Sequence, residues 1–214
     1  MPYFGAKPAD AAVNTLAHTT TIGDGSAADA LIKFDGNAQD FHIGLDDTAD
    51  DLVIGLGSAL GTTTHMSFDE AGIVSMPLQP FASTHLDGNQ TIANTTATKV
   101  SFALEISDIN ADFGSNKFTC PVDGVYLVKA QASALFADTK GLVNHIYVNG
   151  AEVNRMQQTS PLSSSRLYGQ MVHIMECDAS DYIEIFVYQD SGGNLDFAGA
   201  SSPSYTNFQV AKIA

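Results

Sequence analysis

Positive charge is scarce in this chain. Nine Lys and Arg stand against 24 Asp and Glu, a formal net charge of −15 at pH 7. Attraction to a phosphate backbone by counterion release therefore has no footing, and nucleic-acid binding is disfavoured. The acidity suits solubility in salt, where charges further apart than a Debye length of roughly 8 Å hardly repel. Cysteine is scarce too: Cys120 and Cys177 are the only two, without Cys-x-x-Cys spacing. They indicate neither a zinc site nor a disulfide framework. Two buried free thiols are the expected state, with a single bridge as the alternative. No run of about 18 apolar residues occurs, and Met1-Pro2-Tyr3-Phe4-Gly5 has neither a basic start nor an apolar stretch. The expectation is no membrane span, no secretory leader and synthesis in a host cytoplasm.

Motifs that carry chemistry are also missing. The six histidines are scattered, with no His-Glu-x-x-His and no His/Cys cluster at ligand spacing. There is no Gly-x-Ser-x-Gly elbow, no phosphate-cradling glycine loop and no Cys-His signature. The reading is a non-enzyme, with no catalytic, cofactor-binding or metal-ligating residue assigned and no cofactor. Two acidic segments are weighed as calcium loops, Asp190-Ser191-Gly192-Gly193-Asn194-Leu195-Asp196 and the group Asp46, Asp47, Asp50 and Asp51. Turn chemistry accounts for both more simply. His145 and His173 are candidates for stacking around a threefold axis, against the commoner role of a satisfied core or interface histidine.

What is abundant points to β structure. Hydrophobic residues make up 44% and charged residues only 15%, and Gly, Ser, Thr, Asn and Asp fill much of the rest, the palette of short strands and tight turns. Residues 1–80 hold two bases against eleven acids, a net −9, and residues 81–214 seven bases against thirteen acids, a net −6. The boundary lies near Pro77-Leu78-Gln79-Pro80, whose prolines favour an extended connector. Before it, an arm runs through Ala17. Then come short apolar runs at 31–34, 41–45 and 52–56, spaced about eleven residues apart by acidic turns at Asp24-Gly25, Asp35-Gly36 and Asp46-Asp47. Such a ribbon has too little core to stand alone and should lean on neighbouring copies or a docking surface.

After the boundary the expected strands are 98–106, 117–121, 124–136, 142–148, 151–157, 166–176, 181–189 and 205–213. Asn149-Gly150 between Ile146-Tyr147-Val148 and Val153 signals a type I′ hairpin, because both central residues need positive φ. About eight antiparallel strands in a domain spanning 81–214 predict a two-sheet jelly roll. Ile183, Ile185 and Val187 alternate with Tyr182, Phe186 and Tyr188. Both faces of that strand are thus apolar, and the second is expected to need a partner. The fold class is all-β: an antiparallel jelly-roll sandwich preceded by a small-strand N-terminal attachment region.

The stretch Phe118-Thr119-Cys120-Pro121-Val122-Asp123-Gly124-Val125-Tyr126 resembles the globular head domain of the complement first-component q subunit, within the tumour necrosis factor superfamily of trimeric jelly rolls. The family's Phe-x-x-Pro-x-x-Gly-x-Tyr falls on Phe118, Pro121, Gly124 and Tyr126. A later strand resembles Ala179-Ser180-Asp181-Tyr182-Ile183-Glu184-Ile185, with Ser180 in place of the usual Gly. The closing aromatic strand resembles Tyr205-Thr206-Asn207-Phe208-Gln209-Val210, without the family's Gly between its aromatics. Over about 100–214 the resemblance implies a compact homotrimer with strands lining a threefold axis. The collagen-like Gly-x-y stalk is absent, so complement function is not carried over.

The segment from Phe34-Asp35-Gly36-Asn37 to Leu52-Val53-Ile54-Gly55 resembles a module common in virion and tail-fibre proteins of marine tailed phages. That implies an N-terminal virion attachment and an exposed C-terminal trimer. The expected function is a capsid decoration (cement) or head-fibre protein at the virion surface, partnered by the major capsid protein or a tail protein. A trimer suits a local threefold position on an icosahedral shell. The alternative is a tail-fibre or receptor-binding adhesin, with loops 158–165 and 189–203 touching a host-surface glycan or protein.

Overall fold

Short apolar runs separated by acidic turns can satisfy their backbone only by pairing with one another. The computed structural model describes residues 19–160, 164–200 and 205–214. The arm expected through Ala17 lies outside them, as do parts of the loops 158–165 and 189–203. Among the described residues every regular element is a strand. The chain divides into two compact units, Met1–Pro77 and Leu78–Ala214.

The first unit is an antiparallel meander of β1 (Ala30–Phe34), β2 (Phe41–Asp46), β3 (Asp51–Leu56), β4 (Thr63–Phe68) and β5 (Val74–Ser75), each paired with the next. The three apolar runs become β1 to β3. The two later strands, Thr-rich and two residues long respectively, carried no apolar signal. Asp46 makes the β2–β3 turn by accepting the Thr48 and Ala49 amides at 3.1 and 3.2 Å. Register sorts the side chains into two faces. On one, Phe34, Phe41 and Leu56 lie side by side; next come Ile32, Ile43, Ile54 and Met66; next Ala30, Leu45, Leu52 and Phe68. The other face is lined by small or polar residues, with Val53 and His42 buried. His42 lies over Gly55, where a Cβ would stand 2.6 Å from Nε2, and its Nδ1 lies 3.0 Å from the Gly57 carbonyl.

The second unit is an antiparallel sandwich consistent with a jelly roll. Its strands are β6 (Phe81–His85), β7 (Gln90–Ile92), β8 (Thr98–Lys99), β9 (Leu104–Ser107), β10 (Phe113–Gly114), β11 (Lys117–Thr119), β12 (Gly124–Phe136), β13 (Gly141–Val148), β14 (Ala151–Thr159), β15 (Ser165–Cys177), β16 (Tyr182–Gln189), β17 (Leu195–Phe197) and β18 (Asn207–Lys212). One sheet runs β10-β11-β16-β13-β14 with β8 on β16; the other runs β7-β17-β12-β18-β6-β9 with β15 on β12. Tyr126, Val128, Ala130, Ala132, Ala134 and Phe136 all point inward from β12 and are at most 1% exposed, as the alternation requires. At Gly169 of β15 the facing sheet packs closely, since a Cβ there would stand 2.5 Å from Leu142 Cδ2.

Several strand expectations need correction. Segment 98–106 is two strands in different sheets, β8 on β16 and β9 on β6. The chain crosses between the layers at Val100 and Phe102, both buried, so the apolar run is a core crossing rather than one strand. Segment 117–121 ends at Thr119; β7, β10 and β17 have only two or three residues each, and β6, with the sequence Phe-Ala-Ser-Thr-His, carries no apolar alternation that would mark it. The Asn149-Gly150 hairpin forms with two-residue spacing, at φ of 52° and 77°. Gly124 is required by a close approach: a Cβ there would meet the Ala214 carbonyl at 2.6 Å.

Ser180 sits at φ 76°, in the left-handed region where a side chain costs roughly 1–2 kcal/mol. Ser180→Gly should therefore raise stability by about 0.5–1 kcal/mol after the entropy that Gly loses. Gly169→Val should lower it by about 1–3 kcal/mol through overpacking against Leu142. Urea unfolding midpoints of the two variants against the parent check both signs.

Candidate functional site

Each strand of the sandwich has an outward face, and the two sheets finish theirs differently. On the six-stranded sheet, Tyr182, Glu184, Phe186 and Tyr188 point outward from β16, and each is half-buried. Lys117 lies over the Tyr182 ring at 4.2 Å, Lys99 pairs with Glu184 at 2.6 Å, and Tyr147 stacks on Phe186 at 4.3 Å. The second apolar face of this strand, expected to need a partner, is thus largely covered by its own neighbours.

The seven-stranded sheet is open instead. Its outward rows follow from register: Ile174, Leu127, Ala211 and Phe81 form one, and Val172, Lys129, Gln209 and Ser83 the next. Gln170, Gln131, Asn207 and His85 follow. Val172 is 59% exposed, Ile174 57% and Leu135 52%, with Tyr168 and Phe81 also exposed. The polar members are held in place: Gln170 Nε2 donates to Gln131 Oε1, Gln131 Nε2 donates to the Tyr205 carbonyl at 2.9 Å, and Lys129 Nζ donates to Gln209 Oε1 at 3.3 Å. Arg166 lies 4.8 Å from the Tyr205 ring centre, and the Tyr168 and Tyr205 rings are 6.2 Å apart. A shallow hollow of about 150 Å³ opens among Phe81, Leu127, Lys129 and Ala211. Several large apolar side chains thus stay exposed together among the polar members of one sheet face, a grouping that calls for an explanation. Sequence reasoning missed it, although Tyr168, Val172 and Ile174 alternating with Leu167, Met171 and Met175 carries the same two-faced signal as β16.

No protein-family model matches the chain, and no curated protein matches it. Among solved structures, the globular domain of a zebrafish complement 1qA protein is 19% identical, covering 64% of this chain and 98% of that one at a TM-score of 0.48. An Eiger TNF from S. frugiperda is 17% identical, covering 64% and 94% at a TM-score of 0.45. The sandwich itself stands on the strand order and burial given above.

The two proposed calcium segments are tied up as turns. Asp190 Oδ1 accepts the Gly141 amide at 2.6 Å, Asp196 Oδ1 accepts the Thr91 hydroxyl at 2.6 Å, and Gly192 N donates to Asn94 Oδ1 at 2.8 Å. Part of the expected loop 189–203 is strand β17, paired with β7. Among the described residues no group of three or more His, Cys, Asp or Glu is placed to hold a metal ion. His145 belongs to the six-stranded sheet, with Nδ1 3.3 Å from Glu152 Oε1. His173 points to the inner side of β15, with Val172 and Ile174 on the other, so neither histidine lies on the open face.

One cluster of ionisable groups is buried in the sandwich. Cys120 and Cys177 are free and buried, and they share a hydrogen bond. Burial, then the neighbouring Cys177, pushes the Cys120 thiol far up; burial likewise raises Cys177. Burial and Cys120 push the Tyr126 phenol up to about 12, and its hydroxyl donates to the Val122 carbonyl at 2.7 Å. A nucleophilic thiol needs the opposite shift, so these groups serve packing. In native protein at pH 8 neither thiol should react with iodoacetamide within an hour, and both should react in urea. Mass spectrometry of the labelled chain reads this, and native labelling of either cysteine would contradict the assignment.

Proposed function

We propose that this chain is a non-enzymatic structural subunit that assembles into a homotrimer through the open face of its seven-stranded sheet. On this reading it serves at the surface of a bacteriophage particle as a capsid decoration or head-fibre protein. The observation that carries the assembly is the open face itself: Val172, Ile174, Leu135, Tyr168 and Phe81 stay exposed on a rigid sheet. Each large side chain buried on association would contribute roughly 1.5–3 kcal/mol. The count of three is supported by the sequence resemblance over 100–214. The virion setting is supported by the resemblance of 34–55 to a phage virion module, and the partner on this reading is the major capsid protein.

A groove on the six-stranded sheet favours a second reading, a tail-fibre adhesin. It measures about 490 Å³ and is lined by Val143, His145, Arg155, Gln157 and Tyr188, an aromatic ring beside fixed polar groups of the kind that binds small polar ligands such as glycans. The decoration reading is preferred because a trimer suits a local threefold position on an icosahedral shell.

Light scattering on the purified chain should give a particle of three chains of 22.6 kDa. The double variant Val172→Asp and Ile174→Asp should run as a monomer with unchanged circular dichroism. A monomeric parent, or a trimer indifferent to this variant, would sink the assembly. In purified particles, hundreds of copies relative to the major capsid protein are expected by quantitative mass spectrometry. A handful, in a multiple of three, would instead favour the adhesin.

A further inference from the structure

The first unit has an apolar face of its own. Its three rows, set out above, carry no charged side chain, and the central row is Ile32, Ile43, Ile54 and Met66. Ile32, Phe34, Phe41, Leu45, Leu52 and Phe68 are exposed, from 36% at Phe68 to 58% at Phe34, and Ile43, Ile54 and Met66 between them are half-buried. At the usual strand and residue spacings a five-stranded sheet of this length presents on the order of 400 Å² in projection, within the range of the largest apolar patch on a typical monomer and therefore a surface to be accounted for.

We propose that this face is covered by the same face of neighbouring copies, so that residues 30–75 form a second assembly element whose sheets share one core. For the number of copies this rests on the trimeric reading above. Four features favour a second copy as the occupant. The face is apolar and uncharged, with a hollow of about 300 Å³ among Ile22, Ile32, Ile43 and Leu52, and an identical face is matched to it in both polarity and charge. Among the described residues the acids of the unit lie in the turns or on the opposite face, as Asp35, Asp46, Asp47, Asp50 and Asp51 do, so copies can meet without burying these charges. The same acidity, a net −9 over residues 1–80 from two bases and eleven acids, repels an anionic membrane surface. Finally, only residues 76–80 separate β5 from β6. A linker of five residues spans at most about 18 Å, so once the second units associate, the first are held together at an effective concentration in the millimolar range. Weak pairing then suffices.

The test uses the full chain and single cysteines. Ile54→Cys lies at the centre of the face, Ile43→Cys beside it in the same row, and Lys33→Cys on the opposite face; the parent, with its two buried thiols, is the blank. Under copper-phenanthroline oxidation, Ile54→Cys and Ile43→Cys should form covalent dimers at least tenfold faster than Lys33→Cys. They should also react with a maleimide at least tenfold more slowly. A chain that is trimeric by mass but whose Ile54→Cys and Ile43→Cys label as fast as Lys33→Cys and do not cross-link would overturn the proposal while leaving the trimer standing. Protection without cross-linking, relieved by deleting residues 1–18, would overturn it in favour of cover by the chain's own N-terminal segment. Cross-linking of Ile54→Cys that survives Val172→Asp and Ile174→Asp would uphold it even if the second unit proved not to associate.

Discussion

The register of β12 is the constraint on which the second unit depends. All thirteen of its residues pair with β15, and Tyr126 to Gln131 pair with β18 on the other side. Because a strand alternates with a period of two, this pairing sends Tyr126, Val128, Ala130, Ala132, Ala134 and Phe136 into the core. Leu127, Lys129, Gln131 and Leu135 go outward. A slip of one residue would exchange the two sets. The same hydrogen-bond ladder thus defines the interior of the sandwich and the face it offers to partners.

The two sheets end in different chemistry because their outward residues differ in what they can reach. On the six-stranded sheet, lysines at 99 and 117 and the ring of Tyr147 arch over β16, trading solvent for cation, carboxylate and ring contacts. On the seven-stranded sheet, Val172 and Ile174 stay open because β15 is the outermost strand on that side of β12 and the one long neighbour, Lys129, turns away to Gln209. Its amides, by contrast, are tied to one another and to backbone, which keeps the face rigid before any partner arrives.

Both units meet the same difficulty at different scales. A five-stranded meander buries little beyond Val53 and His42, which is scant support for an independent fold. The sandwich has a full core and a surplus face. Among the described residues the acids of the first unit lie in turns or off its apolar face, and screening over about 8 Å weakens the repulsion that a net charge of −15 would otherwise set between copies.

Much of this was legible in advance. The apolar runs of β1 to β3, the long strands β12 to β16 and the Asn149-Gly150 turn are local patterns, in which side-chain period and φ preference act within a few residues. The layer crossing at Val100 and Phe102 was not, because a buried crossing and a buried strand share the same apolar spelling. Nor were strands of two or three residues such as β7, β10 and β17, which exist only because a neighbouring edge offers them partners. Two-faced alternation marks both β15 and β16, and only tertiary packing decides that the outward side chains of β16 are the better covered. By itself the sequence determined an all-β chain in two parts, short of charge and of reactive motifs, since composition and period are properties of neighbours along the chain. The tertiary structure alone decided which faces are closed and which remain open, because coverage depends on residues such as Lys99, Lys117 and Tyr147 that are distant in sequence from the strand they protect.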